Sequence, residues 1–365
     1  MRFLPFLLLA ACGGGSTPEP GHPPEIRVLL ATFAPSEAVE LAVDGAWRLL
    51  DADTGEDLES GRDLRRSIAV RSTRLSRPLR LVPGDGRLLI EGRPYPGHLL
   101  IRANGERADL ILSTDLEDYL PGVIAGEMSA KFHPAALRAQ AVMARTYARH
   151  RMKERGDDVP WHVTDDTRDQ VYIGQPRDPV FADAVQRTRG LILTGAAGPL
   201  PGWYHSTCGG HTASAHEVFG VPDSPALVGV PCGYCSISPR FRWDPPIRLP
   251  LAYVVERLGL TSAPAAVTVT ERRRDGRAGR VRFEAAPPVE LTGEDLRFRL
   301  GVEKLRSTRI HRIRVEGDAV VFEGGGSGHG VGLCQWGAEG MARAGASAAD
   351  ILTHYAPGAV LGRIY

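Results

Sequence analysis

Glu127 is an acid set among apolar residues. In the stretch VIAGEM it follows Val123, Ile124 and Ala125 and precedes Met128. A carboxyl group in such company resists ionisation, so it can keep a proton near neutral pH and hand it to a leaving oxygen. As a solvated acid at a helix end it would be chemically idle, and its sequence neighbours leave both readings open. Asp165 and Asp166 lie in the polar stretch HVTDDTRDQVYIG and would supply a second carboxylate to a hydrolysis that needs a pair. Arg145 sits in a long helical run, where it can orient an acid or a bound group, or pair with an acid of its own helix.

The second set of chemically capable residues is made of thiols. Cys232 and Cys235 form a CxxC pair, and Cys208 has His205 and His211 close by in sequence. Cys208, His211, Cys232 and Cys235 together have the donor types of a tetrahedral zinc site, with Cys334 and His205 as alternative donors. An even number of cysteines beyond Cys12 also suits disulfides, for example Cys208 with Cys232. Structural zinc is the expectation and disulfides the alternative, with no cofactor required for catalysis.

Composition excludes some functions. Forty-four basic and 43 acidic residues leave a formal charge of +1, which gives no electrostatic footprint for nucleic acid. The basic run Arg272, Arg273 and Arg274 falls where a hairpin turn is expected and reads as a solvated edge. The glycine-rich GGGSGHGVG, residues 324–332, has neither the GxGxxG spacing nor the lysine of a phosphate-binding loop, which excludes nucleotide binding.

The elements that must position these groups follow from periodicity. Residues 25–112 show short apolar alternations broken by Asp-Gly and Asn-Gly turns, the pattern of strands and hairpins, with Trp47 expected in the core. Thr114 to Glu117 matches a capping box, so a helix is expected to start there and to be interrupted at Pro121-Gly122. A second helix starts at Pro134, with alanines at helical spacing that let a neighbouring element come close. A short strand is expected at residues 170–173. Further helices and hairpins follow, ending in two helices, the second opened by the Ser347 to Asp350 box. The fold class is therefore α+β: a mixed β-sheet core packed with helices over residues 113–365, preceded by a β-rich N-terminal region.

The N-terminus reads as an export signal. MRFLPFLLLAAC has one arginine, a short apolar run and small residues before Cys12, and Leu9-Ala10-Ala11-Cys12 resembles a lipobox in which the cysteine is lipidated. Residues 1–12 would be the signal and residues 13–24 a flexible Gly/Ser/Pro tether. The expected location is extracytoplasmic, at the membrane through a lipid anchor on Cys12.

Seven segments, LEDYLPGVIAGEM, HPAALRAQAVMARTYA, VTDDTRDQVYIG, WYHSTCGGHTASAHEVFG, LRSTRI, GHGVGLCQWGAEGMA and ILTHYAPGA, follow one another between residues 116 and 361. Together they resemble the SpoIID/LytB family, the group of stage II sporulation protein D and the amidase enhancer LytB. The resemblance implies bacterial cell-wall remodelling on peptidoglycan glycan strands. It makes Glu127 the catalytic acid/base of a lytic transglycosylase, which closes a 1,6-anhydro ring without water. The alternative it carries is a non-catalytic wall-binding lipoprotein that enhances an N-acetylmuramoyl-L-alanine amidase. Gln170 and Tyr172 would hydrogen-bond sugar hydroxyls, or be ordinary strand residues. The resemblance also makes His329, Gln335 and Trp336 candidates for the cleft wall, with Trp336 favoured as core. Some sporulation members hold zinc in the segment before the Gln-x-Tyr stretch. Here residues 157–169 contain no cysteine, and Cys334 stands where many relatives have serine.

Overall fold

The structure is a computed structural model that describes residues 21–71 and 75–365. The expected signal, Cys12 and most of the tether lie outside the described residues. No helix among the described residues is long and apolar enough to cross a membrane.

The alternating N-terminal segments build one large curled sheet. Its strands are β1 (Glu25–Leu29), β2 (Ala38–Asp51), β3 (Asp57–Ala69), β4 (Leu79–Pro83), β5 (Arg87–Ile90), β6 (Arg93–Tyr95), β7 (His98–Asn104), β8 (Arg107–Asp115) and β9 (Val163–Thr164). The order is β6-β5-β2-β4-β7-β8-β1-β9, with β3 paired to β2. Neighbours are antiparallel except β1 and β9, which run parallel. Along β2, Val39, Leu41, Val43 and Trp47 turn inward, which is why its apolar residues alternate. Because β9 comes from beyond residue 112, the β-rich region and the following core share this sheet.

Strand β8 runs straight into α1 (Leu116–Glu127). The expected capping box does not form. Thr114 is still paired with Ile26 in the sheet, Asp115 is the N-cap without a side-chain bond, and Glu117 is turned to Arg145. Pro121 lies inside α1 and does not interrupt it. The central helix α2 (Pro134–Arg155) starts on Pro134, with His133 Nδ1 accepting the Ala135 N–H at 3.2 Å. Ala136, Ala139, Ala141, Ala144 and Ala148 are all buried, which lets α1, α3 (Pro179–Arg187) and the C-terminal helices pack closely around it.

Next come β10 (Leu191–Gly195), β11 (Gly198–Pro199), β12 (Tyr204–His205) and α4 (Ala215–Phe219). The chain then leaves the core to build a lobe. It contains β13 (Ile247–Pro250), α5 (Leu251–Leu258), β14 (Val267–Arg272), β15 (Ala278–Phe283), β16 (Val289–Thr292), α6 (Gly293–Leu300), β17 (Ile310–Glu316) and β18 (Ala319–Gly324). Two three-stranded sheets, β13-β18-β17 and β14-β15-β16, enclose a separate apolar cluster that includes Val254, Phe283, Leu296 and Phe322. Returning to the core, β19 (Leu333–Cys334) leads into α7 (Gln335–Arg343), α8 (Ala348–Tyr355) and β20 (Val360–Arg363), which pairs with β10. The box at Ser347 and Asp350 caps α8 from both sides as expected.

Candidate active site and thiol cluster

Glu127 is the last residue of α1. One face of that helix carries glycines four apart. A Cβ on Gly122 would stand 2.1 Å from the Gly174 carbonyl oxygen, and one on Gly126 would stand 2.5 Å from that of Val171. Only bare backbone at both positions lets the segment 171–174 lie flat on the helix. The strand expected at residues 170–173 does not form a ladder, and the Val171 N–H donates to Glu127 Oε1 at 3.0 Å.

Burial pushes the Glu127 carboxyl above the usual range, against the pull of the Val171 N–H, the Gln335 amide and the Tyr204 hydroxyl. The carboxylate-end position on α1 acts in the same direction as burial, because a helix C-terminus disfavours negative charge. Gln335 Nε2 is buried and makes no hydrogen bond of ordinary geometry, so it faces the carboxylate as a donor without a close partner.

A parallel pair of short strands sets these groups in place. Tyr204 is opposite Leu333 and His205 opposite Cys334, so β12 and β19 bring Tyr204 and Gln335 to the same point beside the end of α1. Behind Tyr204 runs a chain of polar contacts. The Tyr119 hydroxyl donates to Gln170 Oε1 at 3.4 Å, and Gln170 Nε2 donates to the Tyr204 oxygen at 3.0 Å. The Tyr204 hydroxyl proton is thereby left for Glu127. Tyr204 also lines a cleft of about 290 Å³, together with Thr167, Ser206, Arg240, Arg297, Glu303 and His329. His329 donates from Nε2 to the Tyr204 carbonyl at 3.0 Å and accepts the Val331 N–H on Nδ1 at 3.1 Å. Burial and the nearby Arg297 and Arg277 lower its pKa to about 3, so it is a neutral wall residue with both nitrogens occupied.

Several expected site residues are elsewhere. Arg145 is fully buried and makes a two-pronged ion pair with Glu117 of α1 at 2.7 and 2.9 Å, with Val185 and Leu191 carbonyls as further acceptors. It does not pair with Glu127, and its partner is on another helix. Tyr172 is core: its ring packs on Tyr119 at 4.8 Å and on Tyr95 at 5.8 Å. Gln170 is likewise buried, a support for Tyr204 without access to a sugar. Asp165 is taken up by the Thr32 N–H and hydroxyl, and Asp166 by Arg168. Trp336 is half-buried against Phe132 at 4.9 Å. Sequence reasoning missed Tyr204, Tyr119 and the Val171 N–H. The glycines at 122 and 126, spaced to share one helix face, were the available signal for the last.

The stage II sporulation protein family model matches residues 104–194, which include α1, α2 and the loop that carries Val171. An uncharacterized protein of Brachyspira hyodysenteriae is 33% identical over 272 residues, 73% of this chain and 72% of that protein. Stage II sporulation protein D of Bacillus subtilis is 31% identical over 259 residues, 67% of this chain and 73% of its own length. The chain belongs to the stage II sporulation protein D family. A more distant relative, the amidase enhancer of Bacillus subtilis, is 25% identical over 299 residues, and the match spans 40% of its length.

In this member of the SpoIID family the four described cysteines converge. The sulfurs of Cys208, Cys232, Cys235 and Cys334 lie within 4.8 Å of one another, and all four are buried and free. The expected imidazole donors stand apart. His211 Nδ1 is bonded to the Thr212 carbonyl at 2.7 Å, and His205 Nδ1 to that of Val331 at 3.0 Å. Cys334, held as an alternative, is the fourth member of the cluster, because β19 ends beside the loop that carries Cys208.

Proposed function

We propose that this protein cleaves peptidoglycan glycan strands as a lytic transglycosylase, with Glu127 as its general acid and then general base. The observation that carries this reading is the Glu127 carboxyl group, raised in pKa by burial, facing the Val171, Tyr204 and Gln335 donors and adjoining a cleft through Tyr204. In the first step protonated Glu127 gives its proton to the glycosidic oxygen as the bond to the anomeric carbon breaks. The carboxylate left behind gains the Val171 N–H, Tyr204 hydroxyl and Gln335 amide at the moment it needs them. It then takes the proton of the same sugar's C6 hydroxyl, whose oxygen closes on the anomeric carbon and leaves a 1,6-anhydro end. Atoms balance without water, so one carboxylate is enough. That agrees with Asp165 and Asp166 being occupied by structural partners.

The same reading puts the protein on the outer side of the membrane, with Cys12 as lipid anchor. A Cys12→Ser variant is expected in the soluble extracytoplasmic fraction. The catalytic reading is tested by digesting purified sacculi with wild type and Glu127→Gln. Wild type is expected to release glycan ends lighter by one water than hydrolytic ends, and the variant to release none. Wild type that releases no glycan but accelerates an amidase would overturn the catalytic reading and favour the enhancer role named for the more distant relative.

A further inference from the structure

Three parts of the chain meet at the thiol cluster. Cys208 comes from the loop after β12, Cys232 and Cys235 from the CGYC turn, and Cys334 from the junction of β19 and α7. We propose that these four thiolates bind one zinc ion as a closed structural site.

The geometry suits a single tetrahedral centre better than two disulfides. Zinc at about 2.3 Å from each of four sulfurs requires sulfurs about 3.8 Å apart. All six sulfur pairs fall within 4.8 Å, and Cys208 and Cys235 are 3.4 Å apart. Side-chain adjustments of less than an ångström therefore close the site around an ion. The surroundings are those of anionic sulfur. Gly210 N–H donates to Cys208 Sγ at 3.4 Å, and Cys334 Sγ accepts from the N–H groups of Cys208 at 3.2 Å and Gly337 at 3.3 Å. The Tyr355 hydroxyl is 3.0 Å from Cys232 Sγ. Cys334 also caps the nine-residue helix α7, where the positive end of the helix favours a thiolate.

Packing around the cluster is close. A Cβ on Gly337 would be 2.7 Å from Cys232 Sγ and 1.9 Å from the Tyr355 oxygen. Four protein donors leave no position for water, so the ion is a clamp and not a Lewis acid. It joins the loop after β12, the strand that carries Tyr204, to the junction of β19 and α7 where Gln335 begins the helix, across 126 residues of sequence between Cys208 and Cys334.

The test uses the full chain purified without added metal. Metal analysis is expected to give about one zinc per chain, and in denaturant with chelator all four clustered thiols should titrate, with Cys12 as a fifth where it carries no lipid. Cobalt exchanged for zinc should show intense thiolate charge-transfer bands and tetrahedral d–d bands. Cys232→Ser should lose the ion, and Cys334→His, which keeps a zinc donor, should retain it. Should either variant fail to fold, the thiol count and metal content of wild type decide alone. Metal-free protein in which none of the four clustered thiols titrates would mean disulfides, and iron in place of zinc would refute the assignment; either outcome overturns it.

Discussion

Val171 donates its backbone N–H to the Glu127 carboxylate at 3.0 Å, across a helix face that two glycines keep bare. A main-chain donor cannot rotate away, so the acid is held by the path of the chain itself. Gly126→Ala should push that path off the helix. The expected loss is about 1–3 kcal/mol of stability, with turnover reduced on the order of 10²-fold through misplacement of the donor. Denaturant midpoints and glycan release from sacculi would measure the two.

Glu127 itself is raised in pKa by burial. The folded protein therefore holds this proton more tightly than the unfolded chain. The stability linked to it is complete below the ordinary Glu value and is lost as pH rises through the raised one. Glu127→Gln removes the charge and should be free of that loss. Its stability advantage over wild type should grow with pH across this window and then level off, while activity falls by about 10²–10⁴-fold. Thermal melts over a pH series check the sign.

The Tyr204 hydroxyl lowers the Glu127 pKa. Tyr204→Phe should move the alkaline limb of the pH–rate profile to higher pH. It should lower the maximal rate about tenfold, as expected for one lost hydrogen bond to a charged group. A purely structural role for Tyr204 would leave the position of the limb unchanged.

His329 behaves in the opposite sense. Its folded pKa lies near 3, below an ordinary value of 6.5. Its contribution to stability is complete above the ordinary value and is lost as pH falls toward the folded one, a total on the order of a few kcal/mol. His329→Gln should flatten the acid slope of stability, which urea titrations at successive pH values would show.

Arg145→Met would leave Glu117 buried without its cation and should cost about 3–5 kcal/mol. Glu117→Gln added to it should restore much of that loss. Equilibrium unfolding of the single and double variants would establish the coupling.

How much of this could be read in the chain depended on the range of the contacts. Alternation gave the large sheet, and Pro134 gave the start of α2, because both signals are local. The apolar neighbours of Glu127 left its role open, and the seven-segment resemblance singled it out. The roles of Arg145, Gln170 and Tyr172 were not, since each is fixed by a partner 28 or more residues away: Glu117, Tyr204 and Tyr95. Their polar side chains look like ligand contacts in sequence and prove to be buried supports. The thiols show the same limit. CxxC is local, whereas the choice of Cys334 over His211 follows from the register of β12 against β19.

The lobe between β13 and β18 begins and ends at nearly one point, for the Trp243 N–H donates to the Gly324 carbonyl at 2.9 Å. A segment spliced into its host at such a point can be lengthened, trimmed or exchanged without rerouting the host chain. Arg297 and Glu303, from α6 and just beyond it, face the cleft, while Glu127 and its donors belong wholly to the host. Under the proposed function the lobe adds to the wall of the cleft but supplies neither the acid nor its donors, so lineages can alter the cleft while inheriting the acid unchanged. Grafting the corresponding lobe of a relative onto this core should alter glycan preference and leave the pH profile in place.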